Sequence, residues 1–151
     1  MKPTSVKTKI SFIFNNNFIK DKDKRDNFRK NIRSSVKFVL KNEEQDLSFL
    51  NLIFCDNETI KEYNNKFLSH NYNTDIITFY DYDETNILYG ELLISAEQVK
   101  LNAKDYGVKF NDELKRVIIH GVLHLCGYTD KTKLQQKMMR KREDFYLKST
   151  K

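Results

Sequence analysis

The chain is poor in the residues that break, staple or divide a polypeptide. Its 151 residues include one proline, four glycines, two cysteines and no tryptophan. With no glycine- or proline-rich linker and no internal repeat, residues 1–151 read as a single domain of a size that one core can fill. Two cysteines do not make a disulfide framework. Cys55 and Cys126 each lie among apolar neighbours, which suits reduced, buried thiols. No apolar run approaches the length needed to span a bilayer, and Met1 to Thr8 lacks the apolar stretch and cleavage site of a secretory leader. The expectation is a cytoplasmic protein with no membrane segment.

What is present is enough to fold. Hydrophobic residues make up 39% of the chain, eleven Phe and eight Tyr among them, against a charged fraction of 32%. This composition belongs to a globular protein and not to a disordered one. A net charge of +6 and a pI near 9.2 are compatible with a polyanionic partner, nucleic acid included.

The patterning alternates between strand and helix. Lys7 to Phe14 alternates polar and apolar residues and predicts a strand. Lys22 to Leu40 places Phe28, Ile32, Val36, Phe38 and Val39 at helical spacing, beneath a basic face that reads as solvated. Leu47 to Phe54 predicts a second strand, and Asp56 or Asn57 can cap a helix from Glu58 to Leu68. Thr74 to Tyr80 and Ile87 to Ser95 predict two more strands, joined hairpin-fashion across the acidic turn Asp81 to Asn86. Ser95 with Gln98 forms a capping-box pattern, and Gly107 is a stop for the helix between. Helices from Asn111 to Cys126 and from Lys131 to Leu147 complete the chain. The fold class that follows is α+β: a mixed four-stranded sheet packed with about five helices.

Two of the three histidines, His120 and His124, are four residues apart in the helix that ends near Cys126. That spacing returns both imidazoles to one helix face about a turn apart, where they can converge on one metal ion. Gly127 permits a left-handed turn, which brings Asp130 back as a third ligand. Three protein ligands leave a zinc ion one open position, the mark of a catalytic rather than a structural site. A helix apolar almost all round is also what crosses a core, but two imidazoles placed there would each need a polar partner. Cys126 is a weaker candidate ligand, because two residues after His124 a helix points it away.

The spacing of His120, His124 and Asp130 resembles the ligand pattern of metzincin proteases, with one departure. Those enzymes carry a glutamate directly after the first histidine as general base, and here that position is Gly121. A metal is implied, peptide hydrolysis is not.

The run His120-Gly121-Val122-Leu123-His124-Leu125-Cys126-Gly127-Tyr128 resembles the signature of the YbeY family, metal-dependent endoribonucleases also called ribosomal RNA maturation factors. Upstream, Asn73-Thr74-Asp75-Ile76-Ile77-Thr78-Phe79 and Tyr89-Gly90-Glu91-Leu92-Leu93-Ile94-Ser95 are similar to two strands of that family. The resemblance implies one zinc ion, cleavage of single-stranded RNA, maturation of the small-subunit ribosomal RNA 3′ end and ribosome quality control. It also implies the small ribosomal subunit as a partner and leaves open recruitment by a ribosomal protein or a GTPase. The alternative is a ribosome-associated assembly factor whose metal is mainly structural.

Two departures from the family pattern bear on the site. Asp130 stands where the family commonly has a third histidine, which lowers the charge of the site by one unit and implies a less electrophilic metal. Leu68 stands where the family has an arginine, after Phe67 in place of tyrosine, so a phosphate contact made there must pass to another residue; Lys66, His70 and Arg116 are the candidates. Asp75 reads either as a partner for a metal-bound histidine or as a structural cap. Glu91 reads either as a general base or as a satisfied buried carboxylate, and no catalytic side chain is assigned. Tyr72, Tyr80, Tyr82 and Tyr89 are available for base stacking or for packing.

Overall fold

The computed structural model describes residues 6–15, 19–68 and 74–151. His70, Tyr72 and Asn73 lie outside the described residues. Strand β1 (Lys9–Phe14) is followed by α1 (Lys22–Asn42), β2 (Phe49–Cys55), α2 (Asn57–Leu68), β3 (Ile76–Tyr82), β4 (Leu88–Ser95), α3 (Ala96–Tyr106), α4 (Phe110–Leu125) and α5 (Lys133–Ser149). The strands form one mixed sheet in the order β1-β2-β4-β3, with β1, β2 and β4 parallel and β3 antiparallel at the edge. The class is α+β, as the sequence predicts.

Alternation along β2 divides the sheet into two faces. Leu50, Leu52 and Phe54 point into the main core, where they meet Ile32, Val36 and Val39 of α1 and Leu114, Ile118 and Val122 of α4. On the opposite face Cys55, Ile77 and Leu93 pack beneath Ile60 of α2. Helix α4 is apolar nearly all round because it is enclosed nearly all round, by β3 and β4 on one side and by α1, α3 and α5 on the others. No helix among the described residues is long and apolar enough to cross a membrane.

The local signals mostly act where the sequence places them. Asp56 caps α2 by accepting from the Thr59 N–H at 2.8 Å, while the Asn57 side chain instead accepts from the Ser95 hydroxyl at 2.5 Å. The β3–β4 hairpin closes on Asp83, whose Oδ1 accepts from the N–H groups of Thr85 and Ile87. The capping box expected at Ser95 is half made. Ser95 Oγ accepts from the Gln98 N–H, but the Ser95 N–H is already committed to the Asp75 carbonyl, so the Gln98 side chain turns to Asn102. A complete capping box opens α5 instead, between Thr132 and Gln135.

Candidate metal centre

The end of α4 is a Schellman turn, and it builds the site. Gly127 takes the left-handed conformation at φ +98°, the Gly127 N–H bonds the His124 carbonyl and the Tyr128 N–H bonds the Leu123 carbonyl. The chain thereby doubles back over the last turn of the helix. Its next residues then reach the face that carries the histidines.

His120 Nε2 and His124 Nε2 lie 3.0 Å apart, and Asp130 Oδ2 lies 3.3 Å from the first and 3.5 Å from the second. The three predicted ligand atoms thus form a nearly equilateral triangle. Three tetrahedral ligands about 2.0–2.1 Å from a zinc ion stand about 3.3–3.4 Å from one another, so the triangle is of the size that such an ion requires. The chemistry of the donor set points the same way. The Nδ1–H of His120 donates to Glu143 Oε2 at 2.7 Å and the Nδ1–H of His124 to the Tyr128 carbonyl at 2.9 Å. Each Nε2 is left with a lone pair aimed at its neighbour and at a carboxylate oxygen, an arrangement that a cation stabilises.

Both imidazoles are held from behind. Glu143 is buried on α5, and its second oxygen accepts from Arg116 at 3.0 Å; Arg116 also bonds Asp144 at 2.8 Å. On the other side the Tyr128 hydroxyl donates to Glu43 Oε1 at 2.7 Å, and the buried Tyr146 hydroxyl donates to the other Glu43 oxygen. The end of α1 therefore fixes the turn whose carbonyl orients His124. Burial opposes charging of His120, but the hydrogen bond and charge of Glu143, with Asp130 and Asp75, outweigh it and hold its pKa above the usual value. A proton and a metal ion compete for that ring.

Partners of this kind set ligand orientation and basicity, so their loss is read in affinity. Glu143→Ala is expected to weaken metal binding at the triangle about 10- to 100-fold, and Glu143→Gln, which keeps an acceptor but not the charge, by less. Competition against a chromogenic chelator measures both. An Ala variant with parental metal affinity would remove Glu143 from the site.

Two clefts meet at the triangle. One, about 270 Å³, is lined by Asp75, Glu113, Arg116, His120, Asp130, Arg140 and Glu143 among others. The other, about 690 Å³, runs along β3 and contains all three predicted ligands with Leu68, Thr78, Tyr80 and Lys131.

Several other expectations are settled by position. Glu91 is not near the histidines. Its neighbours Gly90 and Leu92 face α4, against Leu125 and Gly121, so Glu91 projects from the opposite face, where Asn51 donates to it at 3.4 Å. Asp75 accepts from the Asn102 side chain at 3.1 Å and, through its carbonyl, from the Ser95 N–H; it ties β3 to α3, and the histidine partner is Glu143. Burial raises the Asp75 pKa against the opposing charge of His120. Arg116 is paired with two carboxylates, and Lys66 is exposed on α2 with its ammonium over the Phe67 ring. Tyr89 stacks on Phe49 on the far face of the sheet. Cys126 caps α4 outside the three-residue cluster, and burial pushes both thiols up to about 12, which makes them inert.

Glu143 and Glu43 carry the signal that sequence reading missed. On α5 the buried positions are Met139, Glu143 and Tyr146, a core stripe at helical spacing with one carboxylate set into it. A charged residue in such a stripe demands a partner, and that demand was legible.

Residues 14–151 match the family model described as Endoribonuclease YbeY. Among curated proteins, the Endoribonuclease YbeY of Christiangramia forsetii is 41% identical over 140 residues, covering 91% of this chain and 92% of its own. That of Karelsulcia muelleri is 47% identical over 110 residues, 73% of this chain and 77% of its own. Among solved structures, a Thermotoga maritima protein studied in solution superposes with a TM-score of 0.63 at 27% identity, over 95% of this chain and 89% of that one. A match over nearly the whole chain, in sequence and in fold, places the chain in the YbeY family.

Proposed function

We propose that the protein is a zinc-dependent endoribonuclease that cleaves single-stranded RNA, acting in the cytoplasm on the small-subunit ribosomal RNA 3′ end and in ribosome quality control. The observation that carries the metal is the triangle of His120, His124 and Asp130, sized for one zinc ion and open to a cleft. When bound, such an ion polarises a phosphoryl oxygen and makes water acidic enough to ionise near neutral pH. The chain's own residues do the rest. Glu143 and the Tyr128 carbonyl keep both Nε2 lone pairs directed inward, and Asp130 tempers the charge of the site. Membership in a family of endoribonucleases makes an RNA phosphodiester the bond that lies here. A mainly structural metal would call for a fourth protein ligand, and no other His, Cys or carboxylate among the described residues joins the cluster.

Metal analysis of the purified protein beside cleavage of a single-stranded RNA tests the reading. Asp130→Ala is expected to lose most of its zinc and its cleavage together. Asp130→His is expected to keep the metal and bind it at least as tightly as the parent. Unchanged zinc content in Asp130→Ala would take this residue out of the ligand set.

A further inference from the structure

We infer that Tyr80 is a platform on which a base of the single-stranded RNA stacks, with Lys131 as the cation for a neighbouring phosphate. The wider cleft then carries the strand to the metal centre. The inference rests on the endoribonuclease reading and adds to it a source of single-strand preference.

Tyr80 occupies an unusual place for an aromatic residue. It lies on the edge strand β3, two residues after Thr78 on the sheet face that carries α4, and pairs across the ladder with Gly90. The room beside Gly90 is filled by Leu125 of α4, whose Cδ1 would stand 2.8 Å from a Cβ there. The Tyr80 ring is therefore turned outward. It is 63% exposed and lines the cleft that holds His120, His124 and Asp130. An exposed aromatic face beside a phosphodiester-cleaving centre offers stacking to any base, whatever its sequence. A base inside a duplex has no free face to offer, so the same contact selects unpaired RNA.

Lys131 supplies the second contact. It follows Asp130 directly, is exposed on the same cleft, and its ammonium forms no ion pair among the described residues. Its backbone N–H bonds the Gln135 side chain, so the start of the side chain is fixed by the cap of α5. The narrower cleft is a poor path for a polyanion. Asp75, Glu113, Asp130 and Glu143 all line it, and of its two arginines Arg116 is committed to Glu143 and Asp144. Volume agrees: about 690 Å³ falls within the range of about 300–1,000 Å³ in which small ligands are held, and about 270 Å³ falls short of it.

The test uses the zinc-loaded full chain and a short single-stranded RNA, intact or with one abasic nucleotide moved position by position along it. Tyr80→Ala is expected to raise KM about 10- to 100-fold with kcat little changed, while Tyr80→Phe, which keeps the ring, stays near the parent. One abasic position is expected to weaken the parent by the same factor and to add nothing in Tyr80→Ala. Lys131→Ala, at unchanged zinc content, is expected to weaken binding for every sequence and to reduce the salt slope by about one. Abasic and Tyr80→Ala effects that multiply independently, or a Tyr80→Ala variant with parental KM, would overturn the platform alone. A zinc-loaded parent that neither binds nor cleaves RNA would overturn both this inference and the reading beneath it.

Discussion

His124→Ala is expected to abolish metal binding and RNA cleavage together and to leave the chain folded. The expectation follows from what each histidine touches. His124 contributes one corner of the triangle, 3.0 Å from His120 Nε2, and its Nδ1 partner is a backbone carbonyl at the helix end. Its side chain is about a quarter exposed, so truncation opens no sealed cavity, and measured against the metal-free parent the expected stability loss is the ~1 kcal/mol typical of a point substitution. A metal held by the triangle would lose one of three protein ligands. Its affinity is expected to fall by more than the 10- to 100-fold that loss of an outer partner costs. His120→Ala makes a less clean experiment, because it orphans a buried carboxylate: Glu143 would keep Arg116 but lose the ring that occupies its other oxygen. Zinc content, RNA cleavage and urea unfolding of the His124→Ala protein decide the matter together. Cleavage that survives in this folded, metal-free variant would refute the metal-dependent reading.

The parts of this site that the sequence disclosed are those governed by local rules. A spacing of four on a helix fixes a shared face, and a glycine past the helix end fixes a left-handed turn; His120, His124 and the return to Asp130 follow from those rules within eleven residues. The strands and the β3–β4 hairpin were legible for the same reason, through alternation and turn chemistry. What depends on how separate elements meet was not. Glu143 reaches His120 only because α5 crosses α4 at that point, and Glu43 reaches Tyr128 across 85 positions of sequence. The sheet order β1-β2-β4-β3 inserts β4 between strands that precede it, which no local pattern dictates. Glu91 marks the same boundary. Period-two alternation could put it opposite Gly90 and Leu92, but which face held the histidines had to come from packing.

Gly121→Glu, the substitution that would restore the protease-like pattern, is expected to destabilise the fold by more than about 3 kcal/mol and to confer no peptidase activity. Gly121 lies where α4 presses on the sheet. A Cβ built there would stand 2.7 Å from Ile76 Cδ1 and 2.9 Å from both Leu92 methyl groups, closer than carbon atoms approach. Alanine at this position faces two opposed effects. Overpacking costs about 1–3 kcal/mol, the helix gains about 1 kcal/mol from losing a glycine, and the clashing atoms are side-chain ends that can shift. Gly121→Ala is therefore expected to be mildly destabilised and still folded. Beyond that Cβ glutamate adds a further methylene and then a carboxylate, set among Ile76, Leu92 and the α4 core with no partner for its charge, which costs several kcal/mol more. Set against a total stability of about 5–15 kcal/mol, that loss is large enough to lower the yield of folded protein. Urea midpoints of the two variants, read beside the parent, measure the difference; a Glu variant as stable as the parent would show that α4 can lift from the sheet. The physical meaning of Gly121 is then clear. A side chain on the residue after the first histidine is directed at Ile76 of β3 and Leu92 of β4, so in this fold a base on that position would be pressed against the sheet and not free to turn toward solvent.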